Sequence, residues 1–557
     1  MCCCRNLLQK LQKETIVKVN KKIVIVGLAV TLLVGFSFQS KFFEVAKQIE
    51  IYNTLFKELN MYYVDEINPG ELTTKAINNT LKDLDPYTNY YNEQDVEDAK
   101  IRRAGEYGGI GVGVYYTKEG ILLKEIYKDY PADKAELKAG DLIISVDGQS
   151  IKNMERDQLS MFLKGIPNST FEVEVNRQGE VFKSQLTREK VIVNPVPFFD
   201  MIDAETGYIP LTTFNSKASS EIKKAFRELK KKGMTKLVLD LRYNLGGSLL
   251  EAINISNFFL PKGKTIVSTK AKIKKWSNTY RGTRDPLDLD IPIVVLVNDR
   301  SASASEIVSG ALQDYDRAII LGDRTFGKGL VQRYRDLTYG TQLKLTISKY
   351  YTPSGRCIQE LDYANRDDKT GVVPKFSDGG VNEFKTENGR KVYDGGGVMP
   401  DVKLELSEKN ETTKSLIGSR SIFNFTNKYV NENSSKPALD DIKVNDAVFK
   451  DFVEFIVTDT TFVTKEENLF KEAFKASKLS SVEKEYRQIQ KKISDIKVDE
   501  VTRNKDRLIP IIQDEIIKRY YYKEGVYQYN LKYNAAILKA KELLNNPLKY
   551  KQILSVN

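Results

Sequence analysis

An α/β core of mixed β-sheet with helices, carrying an inserted β-rich domain and flanked by helical N- and C-terminal regions, is the fold this sequence predicts. Three observations lead there. Apolar runs such as Leu237 to Leu241 and Ile293 to Val297 alternate with helical patterns, as the buried strands of an α/β core do. Short alternating runs punctuated by glycine fill residues 101–190. Apolar residues recur at threes and fours before that stretch, and a charged, helical composition follows the core beyond 410. At 557 residues, 41% of them hydrophobic, the chain can bury several cores.

The elements follow in order. Arg5, Lys10, Lys13, Lys18, Lys21 and Lys22 precede an uncharged run from Ile23 to Ser40. A basic stretch ahead of an apolar run is an export signal, so 1–40 is read as a signal peptide or an N-terminal membrane anchor. Its strongly apolar part, Ile23 to Phe38, spans about 24 Å as a helix against a hydrocarbon core of roughly 30 Å, which leaves cleavage and anchoring both open. Positive charge on its N-terminal side predicts that everything after Lys41 lies outside the cytoplasm, in the periplasm or cell envelope.

Phe43, Ala46, Ile49, Tyr52, Leu55 and Leu59 predict a helical region over 41–100, with a turn at Leu84-Asp85-Pro86, where proline ends a helix. Residues 101–190 hold Gly108-Gly109-Ile110-Gly111-Val112-Gly113, then Gly140-Asp141 and Asp147-Gly148, which make strands joined by glycine turns. No Gly-Lys-Ser/Thr follows the glycine run, which argues against a phosphate loop. The α/β core occupies 191–410 and a mainly helical region 411–557.

Histidine is absent from the whole chain, which excludes Ser-His-Asp and Cys-His catalysis and the H-E-x-x-H metalloproteases. Three of the four cysteines are Cys2, Cys3 and Cys4, so no C-x-x-C metal or redox pair exists beside Cys357. The net charge of +11 is spread among interleaved Lys and Glu, as in Glu221 to Lys232, and gives no concentrated basic stripe for nucleic acid.

Three stretches of the core carry chemistry together: Asp240-Leu241-Arg242-Tyr243-Asn244-Leu245-Gly246-Gly247, Ser301-Ala302-Ser303-Ala304-Ser305-Glu306, and Thr325-Phe326-Gly327-Lys328-Gly329-Leu330-Val331-Gln332. Each has a plain reading: a strand-to-helix turn, a capping box of Ser303 with Glu306, and a charged loop tip. Their sum says more. A serine at a helix start sits beside unpaired N–H groups that stabilise an oxyanion, with Ala304 as one donor and the glycine turn as a second. Without imidazole the base must be another group, and a lysine held neutral by burial serves. Lys328 lies among apolar Phe326, Leu330 and Val331, and Gln332, four residues on, falls on its side.

Gly109, Ile110, Gly111 and Val112 resemble the carboxylate-binding loop of a PDZ domain, although Glu136 stands where such domains usually carry glycine. With the three core stretches the chain resembles the C-terminal processing peptidases, or tail-specific proteases, from Leu84-Asp85-Pro86 to Gly397-Val398-Met399-Pro400-Asp401. The resemblance implies a serine endopeptidase with Ser303 as nucleophile, Lys328 as base and Gln332 as the lysine-positioning residue. Ala304 with Gly246 or Gly247 then forms the oxyanion hole. Tyr87 stands where this family often has histidine, in a turn that is not catalytic there. It further implies protein substrates with apolar C-terminal tails held on the PDZ domain, and a reaction needing no metal or nucleotide. The terminal helices would assemble subunits or hold an adaptor. The rival readings are a catalytically inert PDZ scaffold and, behind it, an amidase or esterase using the same pair.

Overall fold

The computed structural model describes residues 21–404, 410–477 and 482–556, with 21–41 as helical backbone. The chain divides into two compact units, Met1–Asp83 and Leu84–Asn557. In the first, helix Lys21–Tyr62 is followed by helix Pro69–Lys82, whose N-terminus is capped by the Asn68 side chain. The expected export segment lies partly outside the described residues.

The second unit is built on a six-stranded sheet. Its order is Asp200–Met201, Thr206–Pro210, Lys236–Asp240, Ile293–Val297, Ile319–Gly322, Val402–Lys403, and every neighbouring pair but the first is parallel. Parallel strands need crossovers, and helices Ala218–Lys231, Leu249–Asn257 and Ala304–Asp314 supply them on one face around Leu239, Val295, Ile307 and Ala311. The opposite face is closed from far along the chain: Ile537, Ala540 and Leu543 of helix Ala535–Leu544 pack on Val238, Val294 and Ile319. The region beyond 411 is therefore not a plain appendage, since one of its helices completes the core.

A second, antiparallel sheet leans on strand Gln342–Tyr351. Leu330–Asp336 pairs with it, as do Thr265–Ala271 and the short strand Asn89–Tyr91. The segment after the Leu84-Asp85-Pro86 turn thus leaves the N-terminal helices and enters a core sheet, because its backbone groups find their partners at Gln342, Leu343 and Lys344.

The β-rich domain is inserted through a two-stranded ribbon, Glu106–Gly109 with Glu189–Ile192. Its sheet runs Val112–Thr117, Gly120–Ile126, Leu142–Val146, Thr170–Arg177, Glu180–Thr187 over a core of Ile121, Leu123, Val173 and Val175. Glu136 has φ +57, the left-handed backbone that explains why glycine is the usual residue there. The C-terminal helices touch this domain: Tyr522 donates its hydroxyl to Asp133 Oδ1 at 2.6 Å, and Phe423 packs edge-on to Tyr115.

Candidate active site

The loops after three strands meet at the carboxyl edge of the parallel sheet, where α/β folds place their chemistry. Strand Lys236–Asp240 runs into the turn 241–248, strand Ile293–Val297 into 298–303, and strand Ile319–Gly322 into 323–329. Polar side chains fix these turns to one another. Ser301 Oγ donates to Leu241 O at 2.8 Å, and Ser305 Oγ to Asn244 O at 2.8 Å. Asn244, fully buried, donates to Leu211 O at 2.7 Å and accepts from Gly246 N at 2.9 Å. Phe326 N donates to Ser301 O at 3.0 Å, which binds the lysine loop to the serine loop.

Ser303 precedes helix Ala304–Asp314 with φ +56 and ψ −109. That conformation costs a non-glycine residue on the order of 1–3 kcal/mol and persists only when its surroundings enforce it. Here Ser303 N donates to Glu306 Oε2 at 2.7 Å, while Ser303 O accepts from Glu306 N at 2.9 Å and from the Tyr350 hydroxyl at 3.1 Å. The backbone is pinned, and the half-buried hydroxyl has no partner among the described residues beyond the capping box with Glu306.

Glu306 does more than cap a helix. Its side chain is entirely buried; Oε1 accepts from Thr325 Oγ1 at 2.6 Å and Gly327 N at 2.7 Å, and Oε2 accepts from Lys328 N at 3.0 Å as well as from Ser303 N. One carboxylate oxygen thus holds the backbones of the serine and the lysine side by side. Burial pushes Glu306 up to about 7, while its four donors favour the ionised form. Sequence reading reduced this residue to a capping box, although it closes the Ser301–Glu306 stretch.

The Lys328 amine has no carboxylate in contact among the described residues. It lies 4.3 Å from the centroid of the Tyr87 ring. Burial pushes it down to about 8, helped by the charge of Lys344 and opposed by Glu306 and Asp85. An amine at that value is partly neutral near neutral pH and can take a proton from a hydroxyl.

Opposite Ser303, Gly246 has φ +97, and a Cβ there would stand 2.9 Å from both Ser303 Cβ and Ala304 N. Only glycine permits that approach. Its own N–H is committed to Asn244, which leaves the exposed Gly247, φ +145, as the second donor beside Ala304. The amides of Gly247 and Ala304 have no acceptor among the described residues.

Ser303, Ala304, Gly246, Gly247 and Lys328 are thus brought together. Gln332 is not brought onto the lysine: its Nε2 donates to Thr346 Oγ1 at 3.2 Å. Lys328 lies in the loop before strand Leu330–Asp336, so the two-residue alternation that places Gln332 in that strand does not extend back to the lysine. The turn read as standing outside catalysis is the one that reaches the amine, through Tyr87. In the β-rich domain Ile110 O accepts from Ala132 N at 3.0 Å and Gly111 O from Tyr127 N at 2.9 Å, while the amides of Ile110 and Gly111, at the start of the edge strand Val112–Thr117, have no acceptor among the described residues.

Among the described residues, a hydroxyl on an enforced helix start, an amine without a contacting carboxylate and two amides without acceptors thus lie at one edge of the sheet. Comparison with known proteins gives the family. Residues 205–370 match peptidase family S41, residues 123–177 a PDZ domain, and residues 412–544 the C-terminal helical domain of probable PDZ-proteases. A probable CtpA-like serine protease of Staphylococcus aureus is 34% identical over 358 residues, 63% of this chain and 70% of that protein. A carboxy-terminal-processing protease of Bartonella bacilliformis is 36% identical over 323 residues, 57% of this chain and 73% of the relative. Among solved structures, the photosystem II D1 C-terminal processing protease matches at 31% identity and TM-score 0.34, over 58% of this chain and 91% of that one. The chain belongs to the S41 family of carboxy-terminal-processing serine peptidases.

Proposed function

We propose that this peptidase is exported, holds an apolar C-terminal tail on its PDZ domain and cleaves unfolded or tagged proteins with Ser303 and Lys328. The observation that carries the pair is the shared oxygen of Glu306, which accepts from both backbones while the amine of Lys328 has no contacting carboxylate among the described residues. Neutral Lys328 takes the Ser303 proton as Oγ bonds to the scissile carbonyl carbon. The oxyanion is held by the amides of Ala304 and Gly247. The C–N bond then breaks, Lys328 returns its proton to the leaving amine, and an acyl-enzyme ester remains. Water attacks that ester, Lys328 takes its proton, and collapse of the second intermediate releases the acid and restores the serine hydroxyl.

The amides of Ile110 and Gly111 suit a terminal carboxylate, and the edge of Val112–Thr117, which has no further strand beside it among the described residues, suits an added peptide strand. Export rests on the basic-then-apolar order of the first forty residues. Ser303→Ala and Lys328→Ala, assayed on a disordered protein with an apolar tail, should each abolish cleavage with the fold intact. Turnover surviving in either variant removes that residue from the chemistry.

A further inference from the structure

The turn that carries Tyr87 is built too firmly to be a passive crossing. Asp85 Oδ1 accepts from Tyr87 N at 2.9 Å and Thr88 N at 3.0 Å, and Oδ2 accepts from Thr88 Oγ1 at 2.9 Å. Asp85 Oδ1 also accepts from Thr346 Oγ1 at 3.1 Å, and Thr346 Oγ1 accepts from Gln332 Nε2 at 3.2 Å. Gln332, which misses the lysine itself, therefore anchors the turn that reaches it. The Tyr87 ring is fixed a second time, edge-on to Tyr363 with centroids 6.2 Å apart.

What this scaffold presents to the Lys328 amine is the ring, at 4.3 Å from amine to centroid. The face of an aromatic ring carries partial negative charge and attracts a cation within about 6 Å. We propose that Tyr87 is a positioning residue for the catalytic lysine: its ring holds the amine in place and stabilises the ammonium formed when the serine proton is taken. The inference rests on Lys328 being the base.

A ring suits this task better than a carboxylate. A carboxylate in contact would favour the ammonium so strongly that little neutral amine remained, whereas a ring acts weakly. The charged groups facing Lys328 are Glu306 from the helix Ala304–Asp314, Asp85 from the turn itself and Lys344 from strand Gln342–Tyr351. Both carboxylates are engaged by donors of their own.

Ring fluorination tests this, since it withdraws the negative face while keeping the shape. In the full-length enzyme, Tyr87→Phe and a series of singly, triply and fully fluorinated phenylalanines at position 87 are compared on a disordered peptide substrate, with Lys328→Ala alongside. The expected result is that Tyr87→Phe retains kcat within about two-fold. Fluorination should then lower kcat stepwise to about a tenth, with KM constant. The acid limb of kcat/KM should move to lower pH with each step, because the ammonium loses a stabilising partner. A flat series, a loss confined to KM, or a limb moving to higher pH overturns the role of the ring. Turnover surviving Lys328→Ala overturns the dyad and the ring's role with it, whereas a flat series beside an inactive Lys328→Ala overturns the ring's role alone.

Discussion

Two lysines of this protein are withdrawn from water and end with opposite preferences. Lys328, in the loop before strand Leu330–Asp336, is pushed down to about 8 by burial. Lys518, inside helix Lys505–Tyr533, suffers burial as well, yet is raised above its ordinary value by Glu515, with Glu125 adding to the effect. Glu515 lies one helical turn from Lys518 and also accepts from Arg519 at 2.7 Å, so the cations and the carboxylate share one polar knot. Burial alone therefore does not make a base. What separates the two sites is the use of the nearest carboxylate: Glu515 faces an amine, whereas Glu306 gives its oxygens to three backbone amides and a hydroxyl.

The largest break in this comparison is Lys328→Met. Turnover should be abolished, as in Lys328→Ala, a loss beyond the roughly 10²–10⁴ usual for a general base because the serine is left without activation. Stability should move the other way. The folded state depresses the lysine from 10.5 to about 8, so it favours the neutral amine; the penalty is fully present below about 8 and fades as pH rises to 10.5. Denaturant unfolding at pH 7 should show the variant more stable by about 1–3 kcal/mol, with the gain vanishing near pH 10.5. A variant less stable than the parent at pH 7 means the amine is not held at a cost.

Glu515→Gln attacks the other lysine. It leaves two cations without their carboxylate and should lower stability by about 2 kcal/mol, while turnover of the same substrate is kept. The sign follows from the depressed acid. Glu515 is pulled down to about 2 by Lys518 and Arg519, so its contribution is present above the ordinary value of 4.5 and is lost as pH falls toward 2. The gap between variant and parent, read from unfolding midpoints, should close over that window. A gap that persists below it assigns the loss to packing.

How far these sites were legible follows from where their information lies. The strands Lys236–Asp240 and Ile293–Val297 announce themselves because burial on both faces demands unbroken apolar runs. The glycines at 111 and 246 are legible because left-handed backbone and close approach exclude side chains. Long-range pairing leaves no such trace. Nothing local says that Asn89 will face Lys344, or that Ile537 will cover the far side of the sheet, since an amphipathic helix looks the same against any partner. Spacing misled at Gln332, because Lys328 sits in the loop before the strand and the four-residue rule holds only inside one regular element. Glu306 was hidden because a short local motif already accounted for it.

The finest distinction between the two lysines is a single cation. Lys344 lowers Lys328, as Arg519 lowers Lys518, but at Lys328 no contacting carboxylate outweighs it. Lys344→Met should therefore let Lys328 climb back toward 10.5. Because the base acts only when neutral, kcat/KM rises with pH through the lysine's value, and the acid limb should move up by about half a pH unit. Salt gives an independent handle, since raising ionic strength screens Lys344 and should shift the parent in the same direction while leaving the Met variant nearly unmoved. A pH profile that ignores both the substitution and the salt would mean that burial sets the value by itself. The comparison would then reduce to one rule: a buried amine without a contacting carboxylate becomes a base, whatever else is charged around it.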